Sequence, residues 1–204
     1  HSVDEIPFSD VGAKVLVVTP EGGRVETVPV NSTDEVFGKI EYTVKLGPKG
    51  DAELETRGTA KGSAVYDFRR MNSPYLRQLF QVKGQRKDNI EKLYGPVFSG
   101  SKALEESIKF SDLKDLNKQV EYSYVVRIPN MMKKTPRGWA VPNTFFPIKL
   151  SDMTTQDKRD FDMLLYRPSG KQINIKYKFP PGYKAKTVPE PVEIDNEFGT
   201  LKIE

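Results

Sequence analysis

The densest group of residues that could do chemistry is a set of four aspartates that lie close together beside a lysine and an arginine: Asp152, Asp157, Asp160, Asp162, Lys158 and Arg159. Two carboxylates held at a definite separation serve as acid and base in a hydrolase, and clustered carboxylates can hold Ca²⁺. The spacing fits no calcium-loop pattern, and alternating acids and bases are more typical of a solvated surface. A carboxylate-dependent hydrolase that uses the Asp152 to Asp162 cluster stays open as the least favoured of three functions.

Other catalytic groups are scarce. The chain of 204 residues contains no cysteine, and its one histidine is His1. Thiol nucleophiles, histidine bases and Cys/His metal sites are therefore nearly excluded. The serines and glycines form no nucleophile elbow and no phosphate-binding fingerprint after a strand. We expect no catalytic residue, no metal-binding residue and no cofactor, and hence no enzyme activity in this chain.

Composition limits the partners further. The hydrophobic fraction of 37% and the charged fraction of 29% are those of a folded chain. The net charge of +4 arises from 32 basic and 28 acidic residues mixed along the sequence, which is too even a balance to indicate nucleic acid. The longest apolar stretch, at Val15–Val18, is far shorter than a membrane span. Neither nucleic-acid binding nor membrane insertion is expected.

Most of the chain alternates between apolar and polar residues, which is the pattern of half-buried strands. The alternation is strict at Lys39–Leu46, Val120–Ile128 and Gln172–Phe179. Turn residues at Pro20–Gly23 and Gly47–Gly50 predict two hairpins. Further strands are predicted at Tyr183–Val188 and at Val192–Ile203, the latter turning near Asn196.

Helical spacing occurs in one region only. A helix is predicted from Ser73 to Gly84, and a second from about Gln85 to Tyr94 that buries Ile90, Leu93 and Tyr94. The fold class predicted is therefore all-β, mainly an antiparallel β-sandwich, with a small helical insertion. One domain over 1–204 is favoured, and a subdivision into 1–72 (first β part), 73–98 (helical insertion) and 99–204 (second β part) stays open.

A proline- and lysine-rich segment, Pro129–Pro147, is predicted to be an irregular connection. It contains the apolar side chains that we consider for binding or docking: Met131, Met132, Trp139, Phe145 and Phe146. An exposed tryptophan with neighbouring aromatic rings could stack on a sugar or a peptide. A lone tryptophan more often seals one edge of a sandwich, and that interpretation is favoured.

Both ends of the chain resemble parts of one bacterial family of multidomain proteins, which carry a transglutaminase-like domain flanked by β-rich domains of unknown function. The C-terminal segments that carry the resemblance are Phe179–Lys184, Val188–Val192 and Asp195–Gly199. The N-terminal segments are Ala13–Pro20, Gly22–Gly23, Val28–Pro29, Tyr42–Leu46 and Gly50–Ala52, with Lys61–Gly62 and Arg69. The N-terminal segments resemble the part of the family that follows the transglutaminase-like core.

The family's core uses a cysteine nucleophile with histidine and aspartate partners, and this chain has no residues to take those roles. The resemblance therefore implies a non-catalytic accessory or interaction domain that docks on, or shapes access to, a separate catalytic core. The implied partner is an adjacent transglutaminase-like domain of the same polypeptide. Because the chain starts at His1 rather than methionine, we expect it to be a processed or excised piece. The compartment expected is periplasmic or extracellular.

The alternative is a free-standing exported module that binds a glycan or a peptide through exposed aromatic side chains such as Trp139.

Overall fold

A computed structural model describes residues 10–30, 37–61, 82–112, 115, 118–142, 170–188, 190–196 and 199–204. These residues form twelve strands: β1 Lys14–Thr19, β2 Gly22–Thr27, β3 Phe37–Leu46, β4 Ala52–Lys61, β5 Lys102–Ala103, β6 Lys109–Phe110, β7 Val120–Ile128, β8 Lys133–Thr135, β9 Gly138–Ala140, β10 Gly170–Lys178, β11 Val192–Asn196 and β12 Gly199–Ile203. The described residues also contain one α-helix, α1 (Arg86–Tyr94), and two short 3₁₀ turns. The all-β class with a small helical part is confirmed.

Six strands form the main sheet, in the order β10-β3-β4-β7-β5, with β6 also paired to β7. All pairs are antiparallel except β10 with β3, which is parallel and places Gly170 opposite Phe37. The sheet is thus mainly antiparallel, as predicted, and the direction of this one pair could not be predicted because side-chain alternation is the same in both directions. Strands from the ranges 1–72 and 99–204 are thus hydrogen-bonded within a single sheet.

The two faces of the main sheet differ as the alternation predicts. Val44, Leu54 and Val126 lie side by side on adjacent strands and are fully buried. The opposite face carries charged residues in the same register, where Glu53 lies between Lys45 and Arg127. We call these the inner face and the outer face. Burial of the inner face supplies the main hydrophobic stabilisation of the sheet.

Helix α1 packs on the inner face. Ile90 is completely buried, and one turn later the ring of Tyr94 meets that of Tyr124 edge to face at 6.3 Å. Leu93, which we expected to be buried, is 39% exposed. The contact row of this nine-residue helix runs through Ile90 and Tyr94, four residues apart, and Leu93 lies at its border. The helix predicted at 73–84 lies almost wholly outside the described residues.

The remaining strands form three separate hairpins: β1–β2, β8–β9 and β11–β12. The first and last agree with the predicted turns. The β8–β9 hairpin corrects the prediction that Pro129–Pro147 is irregular at its start, since strands of three residues are too short to show alternation. The strand predicted at Tyr183–Val188 is absent, because a turn closed by the Tyr183 amide and the Pro180 carbonyl at 3.1 Å leads into irregular chain.

Candidate interaction surfaces

Two of the five predicted docking residues lie in the core. Met131 is 1% exposed and Met132 is 6% exposed. The Met132 amide donates a hydrogen bond to the Gly50 carbonyl at 2.8 Å, which fixes this segment to the turn between β3 and β4. Both thioether side chains therefore fill space within the fold instead of facing a partner. Phe145 and Phe146 lie outside the described residues.

Trp139, on β9, lies against the same turn. Gly50 has a φ of +94°, and a Cβ atom placed there would come within 2.9 Å of the Trp139 ring. The glycine is thus required both by its left-handed backbone and by the close approach of the indole. Trp139 is half-buried and packs on the rim of the core. Its position agrees with a tryptophan that seals one end of the sheet, and its docking role stays a prediction.

A group of buried hydroxyls lies between α1 and the inner face. The Tyr94 hydroxyl is 3.2 Å from that of Tyr124 and 3.3 Å from Oγ1 of Thr56. Burial raises the pKa of both tyrosines above their ordinary value of 10. Groups that stay protonated can share hydrogen bonds but cannot serve as general bases at neutral pH. The sequence shows these tyrosines on inward positions, but it does not show that their hydroxyls meet.

An aromatic row continues this contact towards one edge of the sheet. The rings of Tyr122 and Tyr124 stack at 6.2 Å, and Phe110 stacks on Tyr122 at 5.8 Å. The Arg86 guanidinium lies over the Phe110 ring, 4.4 Å from its centroid. Burial lowers the pKa of Arg86 from its usual value. A basic residue at the start of α1 is therefore used for cation–π packing.

The outer face holds a shallow depression of about 280 Å³. Its walls are polar side chains from the three strands β3, β4 and β10: Glu41, Thr43, Glu55, Arg57, Lys176 and Lys178. Arg57 pairs with Glu55 at 2.6 Å, and Lys39 pairs with Glu41 at 2.7 Å. The hydrogen bond and charge of Lys39 lower the pKa of Glu41. Glu41 is thus held as an anion, and the two ion pairs suit a charged contact surface better than acid–base chemistry.

Exposed apolar side chains occur on the two terminal hairpins. On β1–β2 the exposed group consists of Leu16, Val18 and Val25. On β11–β12 four aliphatic residues share one face: Val192, Ile194, Leu201 and Ile203. Neither surface belongs to the segment from which docking was predicted. In the sequence, these surfaces are indicated only by the alternation within each hairpin. That alternation predicts an apolar face, but it does not indicate whether another surface covers the face.

Within the described residues, no group of three or more His, Cys, Asp or Glu side chains is placed to hold a metal ion. The aspartate cluster at 152–162 lies outside that part of the chain. No helix in the described ranges is long and apolar enough to cross a membrane.

Residues 137–204 match a family model described as a domain of unknown function with solved structure, DUF3858. The match covers less than half of the chain and spans β9 to β12. No curated protein matches the chain. No solved structure matches it either. The comparisons therefore place a domain of unknown function at the C-terminal end and name no activity.

Proposed function

We propose that this chain is a non-catalytic accessory β domain that docks on a neighbouring catalytic domain of the transglutaminase-like class. The resemblance of both ends of the chain to proteins that carry such a domain supports the choice of partner. The absence of cysteine supports a division of labour in which the partner supplies the nucleophile. A sheet with one buried face is a rigid support that can restrict access to a neighbouring cleft.

The observation that carries the proposal is the exposed apolar face of β1–β2. Leu16, Val18 and Val25 are 65%, 77% and 68% exposed. Leu16 lies directly opposite Val25, and Val18 lies opposite Gly23, so the three side chains share one face. A two-stranded hairpin is marginally stable in water unless its apolar face is covered. A surface that covers these three residues would stabilise the hairpin through burial of apolar area.

The opposite face of this hairpin provides a matched control. Arg24 and Glu26 form an ion pair there, on side chains that are largely exposed. Replacing Arg24 removes charge without changing the apolar face, and an exposed ion pair contributes little to stability. Any loss of docking caused by Leu16→Ser with Val18→Ser, and not by Arg24→Ser, would therefore locate the contact on the apolar face.

The first experiment is the intact mass of the native protein in its source cells, detected with an antibody raised against this chain. A mass well above 23.1 kDa is expected, with a Cys-His-Asp core encoded upstream. A mass near 23.1 kDa would contradict the proposal and favour the free-standing glycan- or peptide-binding module.

The second experiment measures amide hydrogen exchange of β1–β2 in the longer protein and in the 204-residue chain. We expect exchange to be at least about tenfold slower in the longer protein, because a docked hairpin opens less often. The protection should be lost in the Leu16→Ser, Val18→Ser variant and kept in Arg24→Ser. Equal exchange rates in the long and short proteins would show that β1–β2 does not dock.

A further inference from the structure

Strand β10 forms one edge of the main sheet. Among the described residues it is hydrogen-bonded to β3 on one side and to no strand on the other. Ile175 and Tyr177 of β10 lie half-buried on the inner face, and Lys176 and Lys178 are exposed on the outer face. An edge of nine residues presents a row of backbone donors and acceptors that a further strand can pair with.

Strand β11 also has a free edge, because within the described chain it pairs with β12 alone. Its residues alternate between apolar and acidic side chains: Val192, Glu193, Ile194 and Asp195. The apolar residues of β11 and β12 are 39–48% exposed on their common face. The hairpin is thus apolar on one face and acidic along β11 on the other.

The two free edges are complementary. An antiparallel alignment that places Lys176 opposite Asp195 also places Lys178 opposite Glu193, which brings opposite charges together on the outer face. The same alignment places Tyr177 opposite Ile194 on the inner face. Cross-strand pairs of opposite charge and of aromatic with β-branched residues both stabilise antiparallel strands. One register therefore satisfies both faces at once.

Pairing of two β11 edges is disfavoured by the same charges. Two β11 strands in full antiparallel overlap would place Glu193 of one copy opposite Asp195 of the other. Like charges across a strand pair are destabilising. Lysines on an edge strand are a common means of preventing such self-pairing. The charge pattern thus favours β10 with β11 over a pair of β11 edges.

We infer that the free edge of β10 binds strand β11 of a second copy of this chain. Within the part of the chain that the structure describes, β10 pairs with β3 and β11 pairs with β12, and the outer edge of each strand has no partner strand there. Because each copy carries both edges, two copies can exchange hairpins reciprocally and close a dimer with two-fold symmetry. The exposed face of β11–β12 would then continue the inner face of the partner's sheet.

The test uses two charge-reversed variants of the 204-residue chain. One variant carries Lys176→Glu and Lys178→Glu, and the other carries Glu193→Lys and Asp195→Lys. We expect the unmodified chain to dimerise, and each variant alone to dimerise at least about tenfold more weakly because both charge pairs become repulsive. An equal mixture of the two variants should dimerise again, since every β10–β11 pair in the mixed dimer joins opposite charges.

Sedimentation velocity over a range of concentrations measures these equilibria. Lys184→Glu with Lys186→Glu is the matched control, because it changes the same charge on exposed residues beyond the edge strand and should leave dimerisation unchanged. Far-ultraviolet circular dichroism confirms that each variant is folded.

A chain that stays monomeric at all concentrations would overturn the proposal. So would variants that fail to associate when mixed. If the two variants stay monomeric in the mixture but all four substitutions in one chain restore thermal stability, the hairpin pairs with β10 of its own chain, and the second-copy proposal is wrong.

Discussion

The hydroxyl groups of Tyr94 and Tyr124 lie 3.2 Å apart, at the point where α1 meets the central strands of the main sheet. The Tyr94 hydroxyl is also 3.3 Å from the hydroxyl of Thr56. It therefore bridges the hydroxyls of Thr56 and Tyr124, both of which are buried residues. Without Tyr94 both groups would remain in an apolar environment with fewer partners. The contact thus joins the helix to the sheet through hydrogen bonds as well as through packing of the rings.

Replacing Tyr94 by phenylalanine should lower the free energy of unfolding by about 1–3 kcal/mol, because Thr56 and Tyr124 lose a hydrogen-bonding partner while the ring is kept. Urea denaturation measures the change. Tyr183→Phe is the control, since Tyr183 is 44% exposed and its substitution should cost less than about 0.5 kcal/mol. Equal effects of the two substitutions would show that the buried hydroxyls contribute nothing to stability.

Stability should fall in alkaline solution. Burial raises the pKa of Tyr122 to about 12, while an unfolded tyrosine ionises near 10. Between these pH values the unfolded chain releases protons that the folded chain retains, so the free energy of unfolding decreases as the pH rises. Below about pH 10 the full contribution is present. Urea denaturation at a series of pH values measures the free energy of unfolding, and tyrosinate absorbance measures the ionisation of the tyrosines.

Tyr42, Tyr122 and Tyr124, whose pKa values burial raises, should accordingly ionise together with unfolding. Tyr122→Phe should reduce the alkaline loss of stability. A non-cooperative titration of these three tyrosines near pH 10 would contradict the prediction.

Gly58 should tolerate no side chain, because a Cβ atom added there would overlap the ring of Tyr122 on the neighbouring strand. We expect Gly58→Ala to destabilise the fold by about 1–3 kcal/mol. Gly38→Ala is the matched control, since Gly38 lies on the adjacent strand with nothing within 4 Å of its added Cβ. Chemical denaturation measures the free energy of unfolding of each variant.

The cost of Gly58→Ala should shrink when Tyr122 is replaced by leucine, which leaves room for the methyl group. A cost that is the same in both backgrounds would mean that the tyrosine ring is not the obstacle, and the double-mutant cycle makes this distinction directly.

Trp139 fluorescence should report on the β3–β4 turn. Gly50→Ala introduces a Cβ atom 2.9 Å from the indole ring, so the ring must move towards solvent and its emission should shift to longer wavelength. Gly182→Ala is the control, because Gly182 also has a positive φ but has nothing near its added Cβ. Both substitutions strain the backbone, and only the first displaces the tryptophan.

The same signal separates the proposed function from its alternative. Emission that does not change on addition of polysaccharides or peptides is expected for a ring that seals the sheet. A saturable change on addition of either ligand would instead favour the free-standing binding module.

The faces of the strands could be predicted from the sequence because alternation is a local property. Tyr42, Val44 and Leu46 all lie on the inner face, as their spacing indicates. The partner of each strand is not local, and the parallel pairing of β10 with β3 could not be read from either segment. Short elements were missed for a related reason, since β8 and β9 contain too few residues to show a period.

The candidate surfaces were harder to predict. An apolar residue in a strand signals burial, but the pattern of Leu16 and Val18 is the same whether or not another surface covers them. Met131 and Met132 are buried although their sequence context indicated exposure. The proline-rich segment predicted a loop, but the hydrogen bond from the Met132 amide to the Gly50 carbonyl fixes the segment to the fold, and both side chains lie in the core. Exposure depends on the whole assembled fold, which no single segment contains.

The parallel pair of β3 with β10 has a consequence for biosynthesis. Gly170 must reach Phe37 before the sheet is complete, so the polypeptide between them has to be translated first. At a translation rate of about 5–20 residues per second this delay is on the order of ten seconds. During that interval β3 is a nascent edge open to non-native association, and a chaperone that shields hydrophobic segments on the ribosome should increase the yield of folded protein.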